Sequence, residues 1–365
     1  MQRPRGSAPP QTEVVRRRAA GATISVVRNL TLAAADPWNL EIITVVRGTR
    51  SSSERAAISR DVERGLLLRV SPGAYVERTA FGTLTPEAQH IVRVRAIGAV
   101  SYGPVLVSHW SAGVLHGIPV LRSRLTAVHI TVPEDDDRHR KGVVTHHFLV
   151  DDEETVESHG LLVTGLGRTV VDIAGASPFE EGVMAADAAL LGGTTRAALE
   201  AAVELAGPRR ASRRIGDVVA FAHPGAESAA ESRFRVTSMR LGLEVPELQH
   251  RVLLHDGEVF LDGHYRSVNV GVEVDGDQKY LDTRMAPDGP GAAVVREKRR
   301  EDEVRLGLRA LARIGWIQSG SAAALRTILT RVGVRPTRPR TRMQAYIEEA
   351  RHAHPRTRPR VRRSV

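Results

Sequence analysis

The sequence predicts a multidomain protein of mixed α/β content (α+β overall). Three observations carry that expectation. At 365 residues the chain exceeds one ordinary domain. Residues 51–76 read as a capped helix followed by a tight hairpin. Val268-Asn-Val-Gly-Val-Glu-Val-Asp275 alternates strictly, with four valines on one face and Asn269, Gly271, Glu273 and Asp275 on the other.

Composition sets the bounds. The charged fraction of 26% and hydrophobic fraction of 42% are those of a soluble globular chain. No apolar run nears the roughly 20 residues that cross a bilayer, and the N-terminus lacks a secretory apolar core, so the expected location is the cytoplasm, away from membranes. Zero cysteines exclude disulfides, thiolate zinc sites and cysteine nucleophiles. The net charge of +10 sits in the tails: ten Arg against two Glu in 335–365, and five Arg against one Glu in 1–20. The body between them is slightly acidic. Residues 1–35 read as a loose basic leader and 335–365 as a disordered Pro/Arg-rich tail, a composition that can bind phosphate backbones without reading sequence.

The elements follow in order. Asp36-Pro37 reads as a helix start, with Leu40 and Ile43 on its apolar face and Gly48 at its end. Ser51-x-x-Glu54 opens a second helix to about Arg64, and Gly65 stands at its C-cap. Leu66–Val70, the Ser71-Pro-Gly73 turn and Ala74–Val76 complete a winged-helix order over 36–80, with Arg69 and Arg78 flanking the wing as candidate DNA contacts. An α/β unit over 86–206 comes next. Its expected helices are Pro86–Val100, Thr164–Ala174, Glu180–Leu191 and Thr195–Leu205, its strands Thr126–Val132 and Gly142–Phe148, and Val107–Gly117 is a strand end entering a short helix. Gly207-Pro-Arg-Arg210 marks a break. A last unit over 225–332 has a helix Ser228–Leu241, a hairpin turning at Asp256-Gly257, the strand ending at Asp275, a helix Val294–Arg313 and a short closing strand Trp316–Gln318.

The chemistry concentrates in this last unit. A strand Val259–Tyr265 paired with Val268–Asp275 brings Asp262 toward Glu273. Carboxylates converging on a rigid sheet suit Mg²⁺, a hard cation that prefers oxygen ligands. Asp262, Glu273 and Asp275, with Lys279 or Lys298 to stabilise charge on a phosphate, form the candidate catalytic set. Glu227 and Glu231 share a helix face, and Glu231 can join the carboxylates. Other signals read as structural. His109 and His116 have no third ligand near in sequence; the His146-His147 pair points to opposite faces. Gly165-Leu-Gly167 is a turn before a helix, and Ser111 lacks a nucleophile-elbow context. Asp135–Asp137 and Asp151–Glu154 read as solvated acidic loops.

Glu273-Val-Asp-Gly-Asp-Gln-Lys-Tyr280, with Arg296-Glu-Lys-Arg-Arg-Glu-Asp302 and Gly315-Trp316, resembles the Vsr-like endonuclease-fold family of the PD-(D/E)-x-K nuclease superfamily, over roughly residues 225–320. The resemblance implies a restriction-endonuclease-like mixed sheet flanked by helices and Mg²⁺-dependent cleavage of double-stranded DNA. It places Asp262, Glu273 and Glu231 as metal ligands and Arg299 and Arg300 among the nucleic-acid contacts. This chain departs from the pattern by carrying Asp275 in place of the third-position lysine, a role Lys279 or Lys298 would have to fill. Without that lysine the unit would bind DNA without cutting it. Gly65–Val76, Ser108–Pro119 and Val163–Ala174 resemble AbiEi-type antitoxin proteins over about residues 50–200. That resemblance implies a winged-helix autorepressor and a middle domain that neutralises a nucleotidyltransferase-like toxin.

Overall fold

In the computed structural model, residues 36–45, 50–132, 141–148, 150–255, 257–275 and 303–337 are described. The leader 1–35, the tail beyond 337, Asp135–Asp137, Lys279, Lys298, Arg299 and Arg300 lie outside them. The protein mixes helices with several sheets. No helix among the described residues is long and apolar enough to cross a membrane.

The first unit differs from the expected helix–helix–hairpin order. Asp36 does start a turn, its carboxylate accepting from the Trp38 amide and the Asn39 side chain, but no helix grows from it. The chain extends instead into β1 (Ile43–Thr44), which pairs antiparallel with β3 (Ala74–Glu77); β3 pairs in turn with β2 (Leu67–Ser71). β-branched residues and the exposed partner edge of β3 outweigh the local helix signal. Helix α1 (Ser52–Glu63) forms as its capping box requires: the Glu54 amide donates to Ser51 Oγ while the Glu54 carboxylate accepts from the Ser51 amide. Gly73 turns the hairpin at φ +79°, a left-handed conformation that favours glycine.

After the short α2 (Arg78–Gly82), α3 (Pro86–Val100) starts with Thr85 at its N-cap and proline at its first position. It belongs to two cores. Val92 packs with Val76, Phe81 and Leu84 under the hairpin, and Val94 and Ile97 pack on a five-stranded sheet. That sheet has the order β6 (Val143–His147), β5 (Val128–Val132), β4 (Leu106–Val107), β8 (Leu161–Thr164), β7 (Thr155–Ser158). The β7–β8 hairpin was not expected, because only Val163 and Thr164 are buried and its exposed positions break the apolar alternation.

Helices α4 (His109–Leu115), α5 (Leu166–Ala176), α6 (Phe179–Leu191), α7 (Arg196–Leu205), α8 (Ser212–Phe221) and α9 (Ala229–Arg240) follow. All but α8 are among the expected helices. The break at Gly207 leads straight into α8, whose Ile215, Val218 and Phe221 fill the helical core. Arginines at 213 and 214 hide its apolar stripe in the sequence. One residue of the acidic run Asp151–Glu154 also departs from expectation, while Asp151, Asp152 and Glu153 are exposed as expected. Glu154 is buried and pairs with Arg168 at 2.7 Å, rather than being solvated. Arg168 in turn bonds Asp172, which also meets Arg209.

The C-terminal unit holds the largest correction. Residues 303–307 are helical, but Ala310–Gly315 is strand β13, parallel to β12 (Val270–Asp275). The helix expected over 294–313 therefore ends early, and Trp316–Gln318, expected as a strand, falls within the helix Trp316–Gly320. Ala and Leu favour helix locally. Here Ala312 and Ile314 gain more by alternating into the core beside Val272 and Val274. A hairpin of β9 (His250–Leu254) and β10 (Gly257–Leu261) precedes β11 (Gly263–Tyr265), which pairs antiparallel with β12. The helix α9 is buried nearly all round. Val236 and Met239 face the helical core, and Ala230 and Phe234 face the sheet valines.

Candidate carboxylate centre

Ser228 caps α9, its Oγ accepting from the Glu231 amide at 3.2 Å. Glu231 lies in the first turn, where a carboxylate suits the positive end of the helix. Its side chain folds back to accept from the Glu227 amide at 2.8 Å; Glu227 precedes the Ser228 cap, so the two glutamates do not share a helix face as expected. That position is ordinary for a helix-start glutamate. Its surroundings are not. Glu231 is only 4% exposed, and Asp262 faces it. Burial, followed by the Asp262 charge, pushes the Glu231 carboxyl up to about 8, against the pull of the Glu227 amide and Ser228.

Asp262 occupies the bend between β10 and β11. Its Oδ2 accepts from the Val274 amide at 2.6 Å, which ties the bend to the next strand. Because Gly263 sits opposite Val272, Asp262 falls beside the Glu273–Asp275 stretch, as the sequence pattern required. Glu273 projects from the face opposite the buried valines. Its partner across the parallel ladder is Arg313, with Nε 3.2 Å from Glu273 Oε2. Asp275 ends the strand, half-buried and opposite Gly315. Asp262 is thus anchored to the backbone of β12, from where its charge acts on the buried Glu231. Among the described residues, no three of Glu231, Asp262, Glu273 and Asp275 bring their oxygens within 4.8 Å of one another. Arg313 escaped the sequence reading because it was assigned to a helix. Alternation over Ala310–Ile314 is the signal that places it beside Glu273.

In the first unit, Arg69 is exposed next to the turn of the hairpin and Arg78 at its base. Arg69 donates to the Ser71 carbonyl and Arg78 to the Gly65 carbonyl.

The histidines of the middle unit are closer together than their spacing suggests. His116, half-buried at the C-cap of α4, donates to the Thr164 carbonyl at 2.7 Å, a structural role as expected. His109, however, has two histidine neighbours. It stacks on His146 with ring centroids 3.4 Å apart, and His146 Nε2 lies 2.9 Å from His129 Nδ1. Burial, followed by the neighbouring rings, holds His109 well below the usual histidine range and His129 at about 3; burial and His147 hold His146 at about 4. Ser111 Oγ lies 2.8 Å from His90 Nε2 and also accepts from the His129 amide. Both side chains are fully buried, so this serine–histidine pair meets no substrate.

No protein-family model matches the chain. Two curated proteins are similar to it. The uncharacterized protein Rv2248 of Mycobacterium tuberculosis strain ATCC 25618 / H37Rv is 27% identical over 207 residues, covering 56% of this chain and 72% of that protein. The uncharacterized protein MT2308 of strain CDC 1551 / Oshkosh aligns with the same identity and coverage.

Proposed function

We propose that this chain is a DNA-associated protein whose C-terminal unit carries a divalent-cation site of the endonuclease type, built from Glu231, Asp262 and Glu273. One observation carries the reading: the buried carboxyl of Glu231 is pushed up by burial and by the charge of Asp262, which is tied to the strand carrying Glu273. Two carboxyls so placed keep a proton between them at neutral pH or exchange it for a cation. The donor set is all oxygen and fits Mg²⁺, which when bound would polarise a phosphate and lower the pKa of a water. Glu231 and Asp262 would hold the ion, and Glu273 would have to leave Arg313 and close on it, with Asp275 beside them. Asp262 stays oriented through the Val274 amide. Arg313, 3.2 Å from Glu273, would share the charge-stabilising role assigned to Lys279 or Lys298. In support of DNA association, the first unit has the strand order β1-β3-β2 beside α1, the arrangement of a winged module. The test is direct. Purified protein with Mg²⁺ should nick supercoiled plasmid, and Glu273→Gln should not. Equal nicking by the variant overturns the assignment.

A second reading is favoured by the same Arg313–Glu273 pair. An arginine engaging Glu273 neutralises a ligand that the metal needs. On this reading the unit is a degenerate nuclease fold in a non-enzymatic regulator of AbiEi antitoxin type, whose partners are double-stranded DNA and a nucleotidyltransferase-type toxin. It predicts DNA binding that survives EDTA and weakens when Arg69 and Arg78 are both changed to Ala.

A further inference from the structure

A second cluster of ligand atoms stands apart from the carboxylate centre, and no sequence motif announced it. Glu247 and His264 form an isolated antiparallel bridge, each amide donating to the other's carbonyl at 2.9 and 2.8 Å. Residues directly opposite in such a bridge project their side chains to the same side. Gln249, at φ +50°, then turns the chain so that His250 folds back over the bridge. The rings of His250 and His264 stack with centroids 4.0 Å apart. Glu247 Oε2 lies 3.2 Å from His250 Nδ1 and 4.0 Å from His264 Nδ1. One ligand atom from each residue falls within 4.8 Å of the others.

The tautomer of His264 is fixed by its neighbours. Asn269 Nδ2 donates to the Gly307 carbonyl at 3.1 Å, which turns the amide so that Oδ1 faces His264. His264 Nε2 lies 3.0 Å from that oxygen and must donate to it. In a neutral ring Nδ1 is then an acceptor. The His264 side chain is 7% exposed, Nδ1 has no hydrogen-bond partner, and it points at another acceptor, the Glu247 carboxylate. A buried lone pair aimed at an anion is costly unless something positive lies between them. Histidine ligands to metals are held in this way, with the far ring nitrogen donating to an outer partner.

We infer that Glu247, His250 and His264 form a binding site for a borderline divalent cation of the zinc class, with two imidazoles, one carboxylate and an open fourth position. Tetrahedral zinc at about 2.0–2.1 Å from its ligands calls for ligand atoms about 3.3 Å apart. The 3.2 Å pair already meets that spacing, and the 4.0 Å pair needs a small ring rotation. Arg266 donates to the same Glu247 oxygen at 3.0 Å, but its side chain is 77% exposed and can swing into solvent. The ion would pin residues 247–250 to the edge of β11. This site is independent of the carboxylate centre and of the function proposed for it.

The full-length protein, stripped with EDTA and returned to neutral buffer, is titrated with Co²⁺ and then with Zn²⁺. The expected result is one equivalent of cobalt with the visible absorption of a four-coordinate nitrogen/oxygen site, displaced by zinc. His250→Ala and Glu247→Gln, both at partly exposed positions, should each weaken uptake at least ~100-fold, since even outer-shell partners are worth about 10–100-fold. Circular dichroism confirms that the variants remain folded. A lack of saturable uptake overturns the proposal. So does cobalt binding with unchanged spectrum and affinity in both variants, which would place the ion at the carboxylates or in the His109–His146 stack.

Discussion

In the helical middle of the molecule, Glu154, Asp172 and Asp187 are buried and each meets an arginine: Glu154 and Asp172 meet Arg168, and Asp187 meets Arg235 at 2.7 Å. At the start of α9 the buried Glu231 meets another carboxylate instead. The bend of β11 and the bridge beside it repeat the theme, with His264 Nδ1 facing Glu247. One region carries the partners of its charges within its own chain. The other gathers carboxylates and imidazoles near one another, even though Arg266 and Arg313 also reach Glu247 and Glu273. Charge burial in the first region is therefore a structural device. In the second it is the feature on which the proposed ligand sites rest.

Removing a cation from the paired region should have the largest effect. Arg235→Ala leaves Asp187 buried without its partner, and urea unfolding should show a loss of about 3–5 kcal/mol. A loss below ~1 kcal/mol would mean that the two regions do not differ as described. A change at the acceptor-rich region should have the opposite sign. Below pH 4.5 folded and unfolded chains both keep the Glu231 proton; between there and about 8 only the folded chain does. Stability from this group is therefore lost as pH rises through that window, by up to about 1.4 kcal/mol per pH unit. Glu231→Gln should gain on wild type between pH 5 and pH 7, on the order of 2 kcal/mol, and parallel curves would remove the carboxylate pair from the account.

The histidine stack sharpens the contrast with a smaller effect. His129 and His146 have depressed values, so the stability they carry is present above pH 6.5 and fades as pH falls toward about 4. His146→Gln should flatten the acid limb of the stability curve by on the order of 1 kcal/mol near pH 5. An unchanged acid limb would show that the rings are already protonated or exposed.

Much of this architecture was legible in the sequence because local and tertiary preferences agree. Thr85-Pro86 starts α3 where a cap and a first-turn proline should, and the alternation of Val270, Val272 and Val274 sets which face of β12 carries Glu273, although the expected strand start at Val268 falls in a 3-10 turn. Legibility failed where they conflict. Ala310–Gly315 has helix-forming residues but takes the open ladder beside β12. Glu154 looks like surface acid until Arg168, fourteen residues on, is folded against it. The Glu247 site is assembled across a bridge spanning seventeen residues, and each member alone is an unremarked polar side chain. Periodicity reports which face a residue occupies. It does not report which residues from other segments share that face.

The central claim is that Glu231 and Asp262 hold a proton that a divalent cation displaces. Titration of Mg²⁺ by calorimetry at pH 7, in two buffers of different ionisation enthalpy, measures that exchange. The account predicts saturable binding with close to one proton released per ion, and loss of the proton release in Glu231→Gln. Binding with no buffer dependence, or no binding at millimolar Mg²⁺, would contradict it.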